Sequence, residues 1–206
     1  MKEPRLAGKD PDSDEMLVVH SKILYEKPMI REVFEKFYDT CIALDNQYFG
    51  NSKEQRIEIG ASVSFFSKKY PQIISTDIKH ADNLDMVVDA QNMPFENNTI
   101  RAIYGINCFH HLPNPNLFFK ELERTLDIGC ACILIDPYYG FTSRRFYKKI
   151  FNSEIFDMDQ KEWVNESLGF MNGANQALSY IVFQRDKKKM GKHVSKLRNC
   201  TTKTAQ

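Results

Sequence analysis

The stretch RIEIGASVSFFSKKYPQIISTD, Arg56–Asp77, contains two short apolar runs, each of which ends in an acidic or small residue. The first run leads into the turn Gly60-Ala61-Ser62, and the second ends at Asp77. Three more short apolar runs follow along the chain, at Met86–Val88, Ile100–Ile106 and Ala131–Ile135. Because runs this short suit buried strands better than helices, each of them predicts a strand.

Two segments have the three-and-four spacing of apolar residues that is typical of an amphipathic helix. They are Pro28–Leu44, with Pro28 in the first turn, and Pro115–Leu126, followed by Gly129 in the position that ends a helix. Strands that alternate with helices predict an α/β fold, in which helices cover both faces of an open parallel sheet. Pro28–Leu44 would be an N-terminal helical extension of this sheet, preceded by a polar and disordered segment over residues 1–15.

The charge of the chain is nearly balanced, with 28 Lys and Arg against 27 Asp and Glu, but it is unevenly distributed. Seven of the basic residues and no acid lie in Lys187–Gln206, so residues 1–186 hold 21 basic and 27 acidic residues, a net charge of −6. An acidic body argues against nucleic acid as the main partner, because binding of phosphates needs a clustered basic surface.

No part of the sequence predicts export or membrane insertion. The longest apolar runs fall far short of the roughly 18 residues of a membrane span. The N-terminal residues MKEPRLAGKDPDSDE contain no apolar core of a signal peptide. The five cysteines are irregularly spaced, which is typical of reduced thiols, so we expect a cytoplasmic protein.

Acidic or small residues end four successive predicted strands, at Glu58, Asp77, Asp89-Ala90 and Asn107. Ligands of open parallel sheets bind beyond the carboxyl ends of the strands. A carboxylate such as that of Asp77 can accept both hydroxyls of a ribose, and a small residue beside Asp89 suits an adenine. Each residue taken alone could be a solvated turn or a helix cap. Their order along the chain is the one that a nucleoside-containing ligand requires.

Two other kinds of site fit the sequence less well. A dinucleotide site would need G-x-G-x-x-G, but Ser62 and Phe65 stand where the second and third glycines would be. His110 and His111 are adjacent, so they cannot easily share one metal ion, and no further ligand stands at metal-binding spacing. We therefore expect neither a nicotinamide dinucleotide nor a metal.

The segment Arg56–Pro137 resembles the S-adenosylmethionine-dependent methyltransferases with the class I, Rossmann-like fold, in their type 11 branch. Six short stretches carry the resemblance: EIGAS (Glu58–Ser62), STDI (Ser75–Ile78), DAQNMPF (Asp89–Phe95), INCFHHLPNP (Ile106–Pro115), ELERTLDIG (Glu121–Gly129) and LIDP (Leu134–Pro137). The flanking segments Lys22–Asp39 and Asn172–Asp186 are similar to a bacterial subgroup often found among polysaccharide-synthesis genes.

The resemblance implies S-adenosyl-L-methionine as cofactor and methyl transfer to a small-molecule or a saccharide or glycolipid acceptor. It implies a cofactor site of eight residues: Glu58, Gly60, Ala61, Ser62, Asp77, Asp89, Ala90 and Asn107. Of these, Glu58 and Gly60 would hold the methionine end and Asp77 the ribose hydroxyls. Asp89 and Ala90 would flank the adenine, and Asn107 would line the methyl-donor pocket. His110 or His111 could act as general base if the acceptor has to lose a proton, since imidazole titrates near neutrality.

The sequence departs from the family pattern at three places. The family usually has G-x-G where this chain has Gly60-Ala61-Ser62, and Gly-Gly where it has Gly129-Cys130. We expect the last strands of the fold to be missing, as in a truncated gene, because no apolar run follows Lys187. The alternative to an active enzyme is therefore a non-catalytic remnant or binding module, with Ala131–Ile135 at a sheet edge that could self-associate.

The chain divides into four predicted segments. Residues 1–50 would hold the disordered N-terminus and the amphipathic helix, and residues 51–137 the cofactor-binding core. Residues 138–186 would form an acceptor-side lid that includes a short basic helix at Thr142–Phe151. Residues 187–206 would be a disordered basic tail.

Overall fold

The computed structural model describes residues 4–6, 8–10, 12–48, 55–137, 155–164 and 174–193. The centre of this part of the chain is a sheet of five strands: β1 (Gln55–Ile59), β2 (Ile73–Asp77), β3 (Met86–Val87), β4 (Ile100–Ile106) and β5 (Leu126–Ile135). The strand order is β3-β2-β1-β4-β5, and every neighbouring pair is parallel. The predicted Rossmann-like α/β fold is confirmed, with β5 the outermost strand on its side among the residues described.

Helices lie before, between and after the strands: α1 (Asp14–Glu26), α2 (Pro28–Tyr48), α3 (Phe66–Lys69), α4 (Pro115–Thr125), α5 (Leu178–Tyr180) and α6 (Lys187–His193). A π-helical turn, Ile181–Arg185, directly continues α5. Helix α2 confirms the predicted Pro28–Leu44 helix and extends it to Tyr48. None of the helices described is both long and apolar enough to cross a membrane.

Both faces of the sheet are covered by apolar side chains, as the uninterrupted apolar runs predict. Ile57 and Ile103 belong to one core, together with Phe118 and Leu122 of α4. On the opposite face Tyr104 belongs to a second core, built with residues of α2 and α3. Every residue of β4 is buried, because its neighbours β1 and β5 and the helices on both faces exclude water from it.

Three sequence-based expectations fail in the described residues. Helix α1 begins at Asp14, inside the segment expected to be disordered, because the Ser13 hydroxyl caps it by accepting from Met16 N at 3.2 Å. Gly129 does not end a helix: α4 ends at Thr125, and Gly129 lies within β5 with a φ of 85°. There Leu126 pairs with Ile100 and Ala131 with Ala102, so the residues between them form an irregularity of the strand.

The third correction concerns the basic tail, whose first seven residues form the helix Lys187–His193 instead of being disordered. Met190 is the reason, because it is 3% exposed and belongs to the core on the α4 face of the sheet. The remainder of the tail and the predicted helix Thr142–Phe151 lie outside the described residues. The segment boundaries after residues 50 and 137 stay predictions.

A buried ionic cluster ties α2 to the sheet. Asp45 Oδ2 lies 3.0 Å from Arg56 Nε of β1, and Asp45 Oδ1 lies 3.3 Å from Arg101 Nε of β4. The Asp45 side chain is 1% exposed and that of Arg101 is 0% exposed. Since buried charges are stable only when paired, α2 is an integral layer of the fold.

Candidate functional site

The predicted cofactor residues follow neighbouring strands at the carboxyl edge of the sheet. Gly60 and Ser62 follow β1, Asp77 ends β2, Asp89 follows β3, and Asn107 follows β4. The order β3-β2-β1-β4-β5 reverses direction between β1 and β4, because β4 returns to the other side of β1. Such a reversal opens a crevice beyond the strand ends, which is where doubly wound α/β proteins bind their ligands.

The turn after β1 depends on close packing at Gly60. Gly60 has a φ of 61°, and a Cβ added to it would lie 2.5 Å from Cys108 Cβ. A side chain at this position would therefore be strained and would collide with the segment after β4. Ala61 faces inward: it is 5% exposed, and its N–H donates to Thr76 O at 3.0 Å. The open surface of the turn is thus the backbone of Gly60 together with Ser62.

Ser62 adopts a left-handed backbone, with a φ of 46°. It stands where the resembling family has glycine, so the turn does need the conformation that glycine adopts without strain. The Ser62 N–H donates to Asp77 Oδ2 at 2.8 Å. This bond joins the ends of β1 and β2 and holds the turn in its strained form.

Asp77 is half-buried and is oriented by two backbone groups. Its Oδ2 accepts from Ser62 N at 2.8 Å, and its Oδ1 accepts from Lys79 N at 3.0 Å. A carboxylate offers about four lone-pair positions, so two are used by these bonds. The two that remain suffice for the two hydroxyls of a ribose.

Asp89 and Ala90 lie one strand further out, after β3. Asp89 Oδ1 accepts from Gln91 N at 2.8 Å, and Asn92 N donates to Asp89 O at 3.0 Å, so the segment is a tight turn. Ala90 is half-buried and packs against the core on the α4 face. This geometry presents a small apolar side chain beside a carboxylate, as expected for the edge and face of an adenine.

Glu58 lies inside the fold and not on the open side of the turn. It is 2% exposed, and its Oε2 accepts from Ser75 Oγ at 3.1 Å. Burial raises the pKa of Glu58 to about 7, and the negative charge of Asp77 adds to this, whereas hydrogen bonds from Ser64 and Ser75 oppose it. The turn Gly60-Ala61-Ser62 would therefore lie between the Glu58 carboxyl group and the methionine end of a bound cofactor. A direct contact of Glu58 with the cofactor stays a prediction.

Asn107 closes the crevice on the β4 side. It is exposed and has a φ of 53°, a left-handed conformation that asparagine tolerates better than most residues. Its N–H donates to Ile135 O at 2.8 Å, which connects the ends of β4 and β5. The next residue, Cys108, is the one that contacts Gly60, so the segment after β4 and the turn after β1 pack directly on each other.

A second polar cluster lies at the same edge, where β4 and β5 end. His110 Nδ1 lies 3.0 Å from Asp136 Oδ2, and the two side chains are 3% and 6% exposed. Asp136 also accepts from Phe109 N at 3.3 Å, from His110 N at 3.1 Å and from the hydroxyl of Ser179. If Nδ1 donates to Asp136, as these bonds indicate, Nε2 of His110 is the basic nitrogen. The amide nitrogen of Gln176 lies 3.5 Å from it.

Asp136 was not among the predicted site residues, although its position offered a signal. It directly follows β5, as Asp77 ends β2, and it lies in the LIDP stretch. His111 is half-buried, and its ring centroid lies 4.1 Å from that of His110. Among the residues described, no group of three or more His, Cys, Asp or Glu could hold a metal ion.

A parallel sheet of order β3-β2-β1-β4-β5, with a switch point between β1 and β4, defines the fold as Rossmann-like. The comparison with protein families specifies it further, because residues 60–134 match the model described as "Methyltransferase domain". This segment, about a third of the chain, is therefore similar to methyltransferase domains. A comparison with curated proteins gave no match.

Several solved structures are similar to this chain. One is a proposed S-adenosyl-L-methionine-dependent methyltransferase from Methanococcus maripaludis, with 15% identity, coverage of 93% of this chain and 80% of that one, and a TM-score of 0.49. Another is the YcgJ protein from Bacillus subtilis, with 16% identity, coverage of 49% and 51%, and a TM-score of 0.41. A third is geranyl diphosphate C-methyltransferase from Streptomyces coelicolor in complex with S-adenosyl-L-homocysteine, with 13% identity, coverage of 65% and 54%, and a TM-score of 0.41. The chain thus spans about half the length of the Bacillus and Streptomyces proteins.

Proposed function

We propose that this chain binds S-adenosyl-L-methionine and transfers its methyl group to a small-molecule or a saccharide or glycolipid acceptor. The observation that carries the proposal is the orientation of Asp77 at the switch point. Two backbone N–H groups hold its carboxylate, at 2.8 and 3.0 Å, while half of its lone-pair positions stay available.

The turn after β1 also fits this cofactor better than a dinucleotide. S-adenosyl-L-methionine has no phosphate, so it does not require the close backbone approach for which dinucleotide sites use several glycines. One glycine, Gly60, meets the steric demand of Cys108. The Ser62 side chain can then be accommodated where a pyrophosphate would need glycine.

His110 and Asp136 are the proposed means of removing a proton from the acceptor. When bound, the cofactor supplies a methyl group that is activated by its positively charged sulfur. An acceptor hydroxyl or ammonium group must give up a proton to react, and Nε2 of His110 would take it. Asp136 would fix the ring orientation and stabilise the positive charge that His110 gains, as the aspartate does in a Ser-His-Asp triad.

Calorimetry with S-adenosyl-L-homocysteine tests the cofactor site without knowledge of the acceptor. Asp77→Ala removes the proposed ribose ligand, and Asp82→Ala removes an exposed carboxylate from the same loop and serves as the matched control. A lost hydrogen-bonding charge costs about 1.5–3 kcal/mol, so we expect affinity to fall roughly 10- to 150-fold in Asp77→Ala alone. Equal affinity in the wild type and Asp77→Ala would contradict the assignment.

A binding module of the same fold without turnover is the alternative. The backbone of Ser62 favours it, because serine is strained at a φ of 46°, where glycine would not be. The two functions differ in the release of S-adenosyl-L-homocysteine from S-adenosyl-L-methionine in the presence of hydroxylated small molecules and saccharides. Acceptor-dependent release supports the enzyme, whereas tight binding without release supports the module.

A further inference from the structure

A basic surface lies outside the candidate cofactor site, at the C-terminal end of the described chain. We define it by five residues that line one cleft: Lys161, Arg185, Lys187, Lys188 and Lys189. All five are exposed. The cleft also contains Asp159 and Asp186, so the charge of the lining is +3, whereas residues 1–186 together carry −6.

The basic surface is held on the folded body by the start of the tail. Met190 is buried in the core on the α4 face, which fixes α6 in place. Trp163 Nε1 donates to Asp186 Oδ2 at 2.9 Å, and Lys189 Nζ lies 4.7 Å from the centroid of the Trp163 ring. Lys187, Lys188 and Lys189 therefore line one cleft on a docked helix.

Part of the positive charge of the cleft is paired with acids. Both carboxylate oxygens of Asp186 accept from Arg185, each at 2.9 Å, and this pair lowers the pKa of Asp186. Asp186 is thus paired with Arg185, and Lys189 Nζ lies 3.6 Å from Glu162 Oε2. The remaining basic residues of the lining are Lys161, Lys187 and Lys188, and its remaining acid is Asp159. The sequence after Met190 adds four more basic residues and no acid: Lys192, Lys196, Arg198 and Lys203.

We propose that the basic surface binds the anionic headgroups of a lipid bilayer. Each basic residue near such a surface contributes about 1 kcal/mol, and the acidic remainder of the body would orient the molecule with this side toward the lipid. Val164, which is 46% exposed, is an exposed aliphatic residue that directly follows Trp163 in the chain. Single-stranded nucleic acid fits less well, because stacking on bases needs an open aromatic ring and Trp163 is 0% exposed.

Co-sedimentation with vesicles tests the proposal on the full-length chain. We expect binding to vesicles of phosphatidylcholine mixed with phosphatidylglycerol, weaker binding in high salt, and none to phosphatidylcholine alone. The variant Lys187→Gln/Lys188→Gln loses two charges, so its partition coefficient should fall about 25-fold at about 1 kcal/mol per charge and 1.4 kcal/mol per factor of ten. The matched control, Lys22→Gln/Lys120→Gln, loses two exposed lysines elsewhere and should bind as the wild type does.

Three results would overturn the proposal. They are equal binding to neutral and anionic vesicles, an equal loss of binding in the control and the test variant, and tighter binding of an oligonucleotide than of anionic vesicles at the same salt concentration. Thermal melts and S-adenosyl-L-homocysteine binding should be unchanged in both double variants. A loss of vesicle binding can therefore be distinguished from a loss of cofactor binding.

Discussion

Replacing Glu58 by glutamine should remove a pH dependence of stability that the buried carboxyl group creates. The pKa of Glu58 is raised from 4.5 to about 7, so the folded protein holds this proton more tightly than the unfolded chain does. The stabilisation that comes from the bound proton is complete below about pH 4.5 and is lost as the pH rises through about 7. Glutamine resembles the protonated acid at every pH.

The size of the effect follows from the two pKa values. A difference of about 2.5 units at 1.36 kcal/mol each makes Glu58→Gln more stable than the wild type by about 3 kcal/mol at pH 8. In a chain of this length 1 kcal/mol corresponds to roughly 2–4 °C, so the Tm should differ by roughly 6–12 °C. Near pH 4 the two proteins should melt together.

Thermal melts of the two proteins at pH 4, 6 and 8, followed by circular dichroism, measure this difference. Glu96→Gln is the matched control, because Glu96 is exposed and the same atoms are exchanged there. If the difference between Glu58→Gln and the wild type has the same size at all three pH values, or if Glu96→Gln reproduces it, Glu58 does not hold its proton in the folded state.

Three further substitutions test the turn after β1 and the polar cluster. Ser62→Gly should raise the free energy of unfolding by up to about 1 kcal/mol, because glycine adopts a φ of 46° without strain; a urea titration showing a loss would contradict this. Gly60→Ala should lower the stability and the affinity for S-adenosyl-L-homocysteine, and Cys108→Ala should not rescue it, since the clash at 2.5 Å is with Cys108 Cβ, which alanine retains. Asp136→Asn should lower the free energy of unfolding by about 1–3 kcal/mol, because an amide nitrogen replaces one of the two oxygens that accept hydrogen bonds in this buried side chain. An unchanged urea midpoint would refute this.

The sheet could be predicted from the sequence because its strands are encoded locally. Each apolar run, such as Ile100–Ile106, is bounded by polar residues and is buried on both faces, so length and composition alone mark it as a strand. The ends of the strands then place Asp77, Asp89 and Asn107 at one edge without any knowledge of side-chain contacts.

What the sequence did not reveal depends on contacts between distant residues. The pairing of Asp136 with His110, which precedes it by 26 positions, is visible only in the structure. The lysine run of α6 resembles a solvated tail, and only the burial of Met190 shows that it is docked. The inward position of Glu58 likewise depends on Ser64 and Ser75, which come from different elements.

The buried ionic cluster of Asp45, Arg56 and Arg101 determines the shortest fragment of this chain that is expected to fold. The segment matched by the methyltransferase model begins at residue 60 and contains Arg101 but neither Asp45 nor α2. A fragment cut at that boundary would lose β1, the central strand of the sheet, as well as Asp45. Removing one partner of a buried ion pair alone costs about 3–5 kcal/mol, a large share of the stability of an ordinary domain. The segment that folds is thus longer than the segment that matches the family model. Fragments for biochemical work should start before α2.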